Sequence, residues 1–534
     1  MTILTPRAGI NGIDHRLVQI IAPLSVTILA MLYRLPGLGT PSTLVFDETY
    51  YVKDTHALIE HGWESVWPKD ANDSYNQGIT DVDENRPAFI VHPQLGKWLM
   101  ALGQLAFGVD NAFGWRISTA IIGVLMIPLI YFSALLLFRS LTLATIAGFL
   151  LAVDGNAIVM SRTALLDGIV AAFALAGFLT MLLDYHWQRR RLQRSLIANA
   201  NRDTLLIQWW RPWLFVSGII FGLAASVKWS GFYFLAVFGI YSVVSGLINR
   251  RMLGQRIWFR AGSLQAVVNF FTLVPIALAV YIGSWVSWFV NGGYNRDYAG
   301  LANNAWTGWL SWVPLDLQSL WQYHVGMYNF HMGLDGTHPY ESAAWQWLPM
   351  IRPTLFYSVW SNEGERGCEW SRCGEIVQDI GNPLIWWGGT VAVLILLYRL
   401  IRKPNWPIAT ILVGLAAAWL PWLLASGRIA YFFYTITLTP YLILALVAVL
   451  GWVMHRGLPR ATVAITLGDS EALAQHRGRL FIDTPSWSQF NGIRFVMWFL
   501  VAVFVLSLFW LPLYTGMQIP QWFWMLHIWL PSWG

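Results

Sequence analysis

Charge is scarce in this sequence. Of 534 residues only 12% are Asp, Glu, Lys or Arg, while 56% are apolar and 15% aromatic. Soluble domains carry about 25% charged residues, so the shortfall excludes a chain that folds in water around one ordinary core. The apolar residues come in long runs, which places the protein in a bilayer. Lysine is rare as well, five against 29 arginines, a bias read as nucleotide composition. Cysteine is limited to Cys368 and Cys373. With no second pair and no His at ligand spacing, this C-x4-C points to a short loop-closing bridge rather than a metal site. No acid cluster requires a divalent ion, so neither metal nor cofactor is expected. The N-terminus MTILTPRAGINGIDHR lacks a small-residue cleavage site after the first apolar run, so no cleavable signal peptide is expected. No repeat of 20 to 50 residues is visible. That absence weighs against a secondary transporter, which usually has structural repeats and ionisable positions near the midplane.

Eleven segments are long enough to span: roughly 17–34, 114–138, 141–159, 164–184, 213–228, 231–248, 264–290, 383–401, 407–425, 429–453 and 495–515. The fifth and sixth abut at Lys228. With a cytoplasmic N-terminus, 21 of the 34 Lys and Arg and 6 of the 28 acids fall inside, leaving 13 cations and 22 acids outside. The positive-inside rule selects this orientation and rejects its mirror image. Because the cations sit in short blocks such as 186-HWQRRRLQR-194, the net charge of +6 is read as topology rather than nucleic-acid binding. Residues 1–454 form the membrane core, with outer loops at about 35–113 and 291–382. The stretch 455–494 is a cytoplasmic loop, and 495–534 hold the last span and an outer aromatic tail expected to lie along the interface. The run ETYYVKDTHALIEHGW reads as an amphipathic interfacial helix.

Under this orientation the ionisable residues near span ends gather on the outer side. Asp47 and Glu48 follow the first span in VFDETYYVK. His92 and Lys97 lie in VHPQLGKWL, Arg116 in FGWRIS, and Arg162 and Asp167 in MSRTALLDG. Lys228 is in ASVKWSG, His338 and Glu341 are in THPYES, and Arg428 is in SGRIAYFFY. An isolated charge in lipid costs at least about 2.5–3.5 kcal/mol, so these residues need partners or a water-filled cavity. Carboxylates and cations on one leaflet suit an anionic lipid head and a polar acceptor. Cleaving a sugar from a lipid phosphate leaves a dianion that wants Lys or Arg donors. A carboxylate can accept the proton of an incoming hydroxyl, a contribution of roughly 10²–10⁴-fold. Each residue also has a plainer reading. Acids favour a helix start, Lys228 can snorkel, and Arg116 and Arg428 can anchor at the interface. Asp167 can pair with Arg162, Pro93 can shape a helix entry, and His338 with Glu341 can hold their loop.

Taken together, FDE after the first span, HPQLGK before the second, Ser-Arg with LLDG, VKW and HPYES resemble the protein O-mannosyltransferases, here of an actinobacterial type. The resemblance covers most of residues 40–440. It implies an all-α polytopic GT-C fold of about eleven transmembrane helices, with interfacial helices in two large extracytoplasmic loops. The implied activity is transfer of mannose from polyprenyl-phosphate mannose to Ser or Thr hydroxyls of extended exported polypeptides, with inversion, at the outer face of the cell membrane. It implies Asp47 as catalytic base with Glu48 as its partner. Arg116, Asp167 and Lys228 are implied around the carrier phosphate and cavity, and His92, Lys97, His338, Glu341 and Arg428 are extensions of that substrate-binding set. The export channel is an expected partner. Eukaryotic relatives carry a β-trefoil (MIR) domain in the second outer loop. About 90 residues occupy that position here, without a trefoil signature. The competing reading within enzymes is a related lipid-phosphate-sugar transferase acting on a lipid or polysaccharide.

Overall fold

Apolar runs in lipid become helices because only intrasegment hydrogen bonds satisfy the backbone there. The computed structural model describes residues 15–199, 202–301, 303–334, 337–425, 427–454 and 487–534. Residues 1–14 and most of the 455–494 loop lie outside the described residues. The helices are α1 (His15–Arg34), α2 (Glu48–His61), α3 (Ala71–Asn76), α4 (Leu95–Phe107), α5 (Ala112–Phe138), α6 (Leu141–Val153), α7 (Gly155–Arg162), α8 (Leu166–Ala198) and α9 (Pro212–Val227). They continue with α10 (Gly231–Met252), α11 (Trp258–Gly283), α12 (Val286–Asn291), α13 (Leu315–Met332), α14 (Pro383–Arg402), α15 (Trp406–Leu424), α16 (Thr439–Val453), α17 (Trp487–Thr515) and α18 (Gln521–Met525).

Among the described residues, eight helices are long and apolar enough to cross a membrane. The pair α6–α7 is apolar enough when taken together, and the shorter apolar helices α9 and α16 match the remaining two expected segments. The segment expected at 141–159 is therefore two helices bent by 57° rather than one continuous helix. Asp154 supplies the reason. Its Oδ1 accepts from Ala157 N of α7 at 3.2 Å, while Oδ2 accepts from Asn382 N at 3.1 Å and Trp386 Nε1 at 3.0 Å. A helix N-cap that also binds a second segment restarts the chain in a new direction. Two further segments are shorter than expected. The run 264–290 ends its helix at Gly283 and resumes as α12, and 429–453 opens with 3-10 turns at Phe432–Thr437 before α16.

The two large loops and the tail add to expectation in three ways. Helix α2 is packed largely against protein, with nine of its residues from Glu48 to Leu58 buried. The second outer loop and the tail build a three-stranded antiparallel sheet, β1 (Thr354–Asn362), β2 (Arg372–Asp379) and β3 (Gln518–Pro520), in the order β1-β2-β3. The aromatic tail is thus partly drawn into the fold: Trp533 is 3% exposed and donates from Nε1 to Met350 O at 2.8 Å. Hydrogen bonding along β2 and burial of an indole outweigh an interfacial resting place. Cys368 and Cys373 are joined in a disulfide that closes the β1–β2 connection.

Two buried arginines set the entrance to the first large loop. Arg162, at the end of α7, donates to the carbonyls of Arg34 (2.9 Å), Pro36 (2.8 Å) and Gly37 (2.7 Å). It satisfies acceptors that the end of α1 leaves open. Arg116, in the first turns of α5, donates to Leu38 O, Pro41 O and Thr43 O. The chain between α1 and α2 is therefore held at several successive carbonyls, immediately before Asp47.

Candidate active site

Asp47 and Glu48 are sequence neighbours with opposite surroundings. Glu48 is fully buried and receives Arg116 on both oxygens, each at 2.7 Å. Its Oε1 also accepts from Ala164 N at 2.8 Å and its Oε2 from Val45 N at 3.0 Å. Both Arg116 and Glu48 are thus saturated by the protein itself. Charge-assisted bidentate pairs of this kind are strong and directional. They tie the first outer loop to the α7–α8 junction.

Asp47 occupies the N-cap position of α2 but makes no capping bond. Phe46 before it has φ of 47°, a left-handed conformation uncommon for a bulky residue. Phe46 is locked there by stacking on Phe356 at 4.9 Å and by edge contacts to Phe433 and Tyr431. The Asp47 carboxylate feels the charges of Lys228 and Asp167. Burial raises its pKa to about 6, with Lys228 pulling it down and Asp167 pushing it up.

Lys228 and Asp167 arrive from two places where the chain breaks. Lys228 is the residue between α9 and α10, and Asp167 lies in the first turn of α8. Their contact is bidentate, at 2.8 and 2.9 Å, with both side chains nearly buried. The ammonium also sits 4.4 Å above the Tyr434 ring.

Beyond Lys228 lies a group of imidazoles and a guanidinium. His92 and His331 stack with centroids 5.3 Å apart. His331 Nε2 lies 3.0 Å from the Val91 carbonyl, and its Nδ1 lies 3.3 Å from Arg428 Nη2. A carbonyl can only accept, so Nε2 carries the proton and Nδ1 accepts from Arg428. Burial and Arg428 lower the His331 pKa to about 4, and burial with Lys228 and His331 lowers that of His92 well below the usual histidine range. Both rings are neutral at physiological pH. His92 Nδ1 and Arg428 Nε are buried and make no hydrogen bond among the described residues. Leaving such groups unpaired costs about 1–3 kcal/mol each, so both are contacts that the described protein leaves unspent.

The other expected site residues fall elsewhere. Lys97 is fully buried in a separate cluster, paired with Glu64 and 3.8 Å from Asp54, while Gln94 donates to Glu64 at 2.8 Å. Burial raises Asp54 to about 7 against the pull of Lys97. His338 contacts Phe46 at 6.3 Å and Tyr431 at 5.2 Å and so borders the site. Glu341 Oε2 accepts from His338 N at 3.2 Å, which holds the HPYES turn. Sequence reasoning did not single out His331, Tyr434, Glu64 or Asp54. The VGMYNFHMG segment carries no pattern that separates His331 from His324 one or two turns earlier. Among the described residues no group of three or more His, Cys, Asp or Glu is placed to hold a metal ion.

The polytopic helical bundle has the GT-C fold of membrane glycosyltransferases. Residues 82–291 match the model of dolichyl-phosphate-mannose-protein mannosyltransferases, and residues 316–533 match the C-terminal four-TMM region of protein O-mannosyltransferases. A polyprenol-phosphate-mannose–protein mannosyltransferase of Mycobacterium tuberculosis is 32% identical over 99% of this chain and 94% of its own length. A like-named protein of Corynebacterium glutamicum is 30% identical over 95% of this chain and 92% of its own. The solved Saccharomyces cerevisiae protein O-mannosyltransferase Pmt1-Pmt2 complex bound to the sugar donor shares the fold, with TM-score 0.67 at 14% identity, covering 97% of this chain and 92% of that one. The chain belongs to the protein O-mannosyltransferase family.

Proposed function

We propose that the protein transfers mannose from polyprenyl-phosphate mannose to Ser and Thr hydroxyls of extended exported polypeptides, on the outer face of the cell membrane, with Asp47 as general base. One observation carries the reading: the uncapped Asp47 carboxylate, its pKa raised to about 6, is coupled electrostatically to the bonded Lys228–Asp167 pair. The acceptor oxygen attacks the anomeric carbon of mannose as its proton passes to Asp47. The bond from that carbon to the phosphate oxygen breaks, and the electron pair leaves on polyprenyl phosphate. One base on the face opposite the leaving group gives inversion without a covalent intermediate.

Lys228 and Arg428 take the phosphate, whose charge grows as the bond breaks. Asp167 fixes the Lys228 ammonium, and Tyr434 lies beneath it. His331 orients Arg428 through the Val91 carbonyl, and His92 offers its unpaired Nδ1 to the same cavity. Glu48 and Arg116 act at one remove, by holding the segment from which Asp47 projects. The outer placement rests on the distribution of Lys and Arg among the loops. Delivery by the export channel is a further part of this reading, since an unfolded emerging chain presents its hydroxyls.

The test uses the full-length protein in lipid with radiolabelled polyprenyl-phosphate mannose and a Pro/Thr-rich peptide. Mannosyl-peptide is expected from wild type and not from Asp47→Asn, while both bind the donor. Equal turnover by Asp47→Asn removes it from the base role.

A further inference from the structure

Strand β1 reads TLFYSVWSN, with no proline and no charged residue. It lies at the edge of its sheet. Antiparallel β2 covers one side, from Thr354 opposite Asp379 to Asn362 opposite Arg372. Among the described residues, the main chain of 355–361 hydrogen-bonds to β2 alone. Folded proteins usually blunt such an edge with Lys, Pro, a covering loop or a very short strand. Here nine residues, five of them β-branched or aromatic, carry only one irregularity, between Leu355 and Tyr357. The open edge is a ready template for one more strand.

The edge also leads to the chemistry. Phe356 of β1 stacks on Phe46 at 4.9 Å, and Phe46 immediately precedes Asp47. Farther along, Ser358 is exposed while Tyr357, Val359 and Trp360 are half-buried. A groove of about 220 Å³ opens over one face, bordered by Tyr340, Leu355, Ser358 and Trp360.

We propose that the open edge of β1 binds the acceptor polypeptide as an added strand and so carries its Ser and Thr hydroxyls to Asp47. The inference rests on the reading above, that the acceptor is an extended polypeptide. Recognition then runs through main-chain hydrogen bonds, which every sequence except proline can make, with side-chain preferences at alternate positions only. An enzyme of this design accepts many sequence contexts but demands an extended stretch around the modified residue. A second copy of the chain is the competing occupant of the same edge.

The experiment uses full-length protein in lipid with polyprenyl-phosphate mannose and peptides carrying one Thr. Each peptide is N-methylated at a single main-chain nitrogen, moved one residue at a time. Added-strand binding predicts a peptide KM at least tenfold higher at every second position, little change between them, and nearly constant kcat. A profile without two-residue periodicity overturns the proposal. Cross-linking then locates the strand without turnover. Both native cysteines are bridged, so Ser358→Cys introduces a single free thiol. It should form a disulfide with a cysteine-bearing peptide faster than Trp309→Cys does, a site 83% exposed in the same outer loop. Equal rates, or Ser358→Cys dimers in place of the peptide adduct, overturn it. Failure of the unmethylated peptide to accept mannose strikes the transfer reading itself, whereas a flat methylation profile with active parent peptide strikes only the docking on β1.

Discussion

Asp47 and Glu48 are adjacent acids at the start of the same helix, yet they do different work. Glu48 has four hydrogen bonds to the protein, two of them from Arg116. Asp47 has no capping bond and a pKa raised to about 6. A fully satisfied carboxylate is a fastener, since its lone pairs are committed to the protein. An unsatisfied one, poised near its operating pH, can receive a proton from substrate. Adjacent positions reach these two states because Glu48 is bonded to Arg116 of α5 and to Ala164 between α7 and α8, whereas Asp47 has no capping bond and feels the charges of Lys228 and Asp167.

Substitutions can break this contrast or sharpen it. Asp47→Asn keeps the shape and removes the base, so mannosyl transfer should fall by about 10²–10⁴-fold with thermal stability unchanged, as read by peptide labelling beside a melting curve. Arg116→Ala should show the reverse emphasis. Removing one partner of a buried pair costs about 3–5 kcal/mol, so its principal signature is a lower unfolding temperature in lipid. A fully stable Arg116→Ala protein with lost activity would move Arg116 from the scaffold into the site. Arg428→Gln removes one charge-assisted contact, about 1–3 kcal/mol, and should raise the donor KM while leaving stability intact. His331→Ala should do the same less strongly, and its effect should largely vanish in the Arg428→Gln background; full additivity would sever the proposed relay.

The pH profile gives the finest test. Asp47 must be deprotonated to act, so transfer should be full above about pH 6 and fall as the pH drops through that value, approaching tenfold per unit on the acid limb. Asp167 raises the Asp47 pKa. Asp167→Asn should therefore move the acid limb to lower pH, by a fraction of a unit, while Asp47→Asn abolishes the profile. A limb that stays in place in Asp167→Asn separates the two carboxylates electrostatically.

Much of the bundle was legible from hydropathy, because spanning helices are dictated by length and apolarity. All eleven expected segments contain apolar helix. The break at Asp154 was not legible, since an acid between two apolar runs reads as part of one span until its partners Asn382 and Trp386 are known. Strands β1 and β2 were missed because their residues, embedded in a loop rich in Trp and Gly, have no clean alternation, and β3 comes from the distant tail. Helix α2 has polar residues at an amphipathic spacing, but the protein and not the bilayer covers them. At the site, motif spacing picked out Asp47, Asp167, Lys228, His92 and Arg428, and the fold gathers them. The same reasoning could not tell that Lys97 turns to Glu64 and Asp54, or that His331 supports Arg428.

Taken alone, the residues determined that the chain spans a membrane many times and which loops carry the acids and cations. Those properties follow from transfer free energies summed along a segment and need no knowledge of neighbours. Which carboxylate is spent on an arginine and which is left beside a lysine was decided only by tertiary structure. That choice depends on interactions between positions 68 to 181 residues apart, from Glu48–Arg116 to Asp47–Lys228, whose energies exist only once the helices have packed.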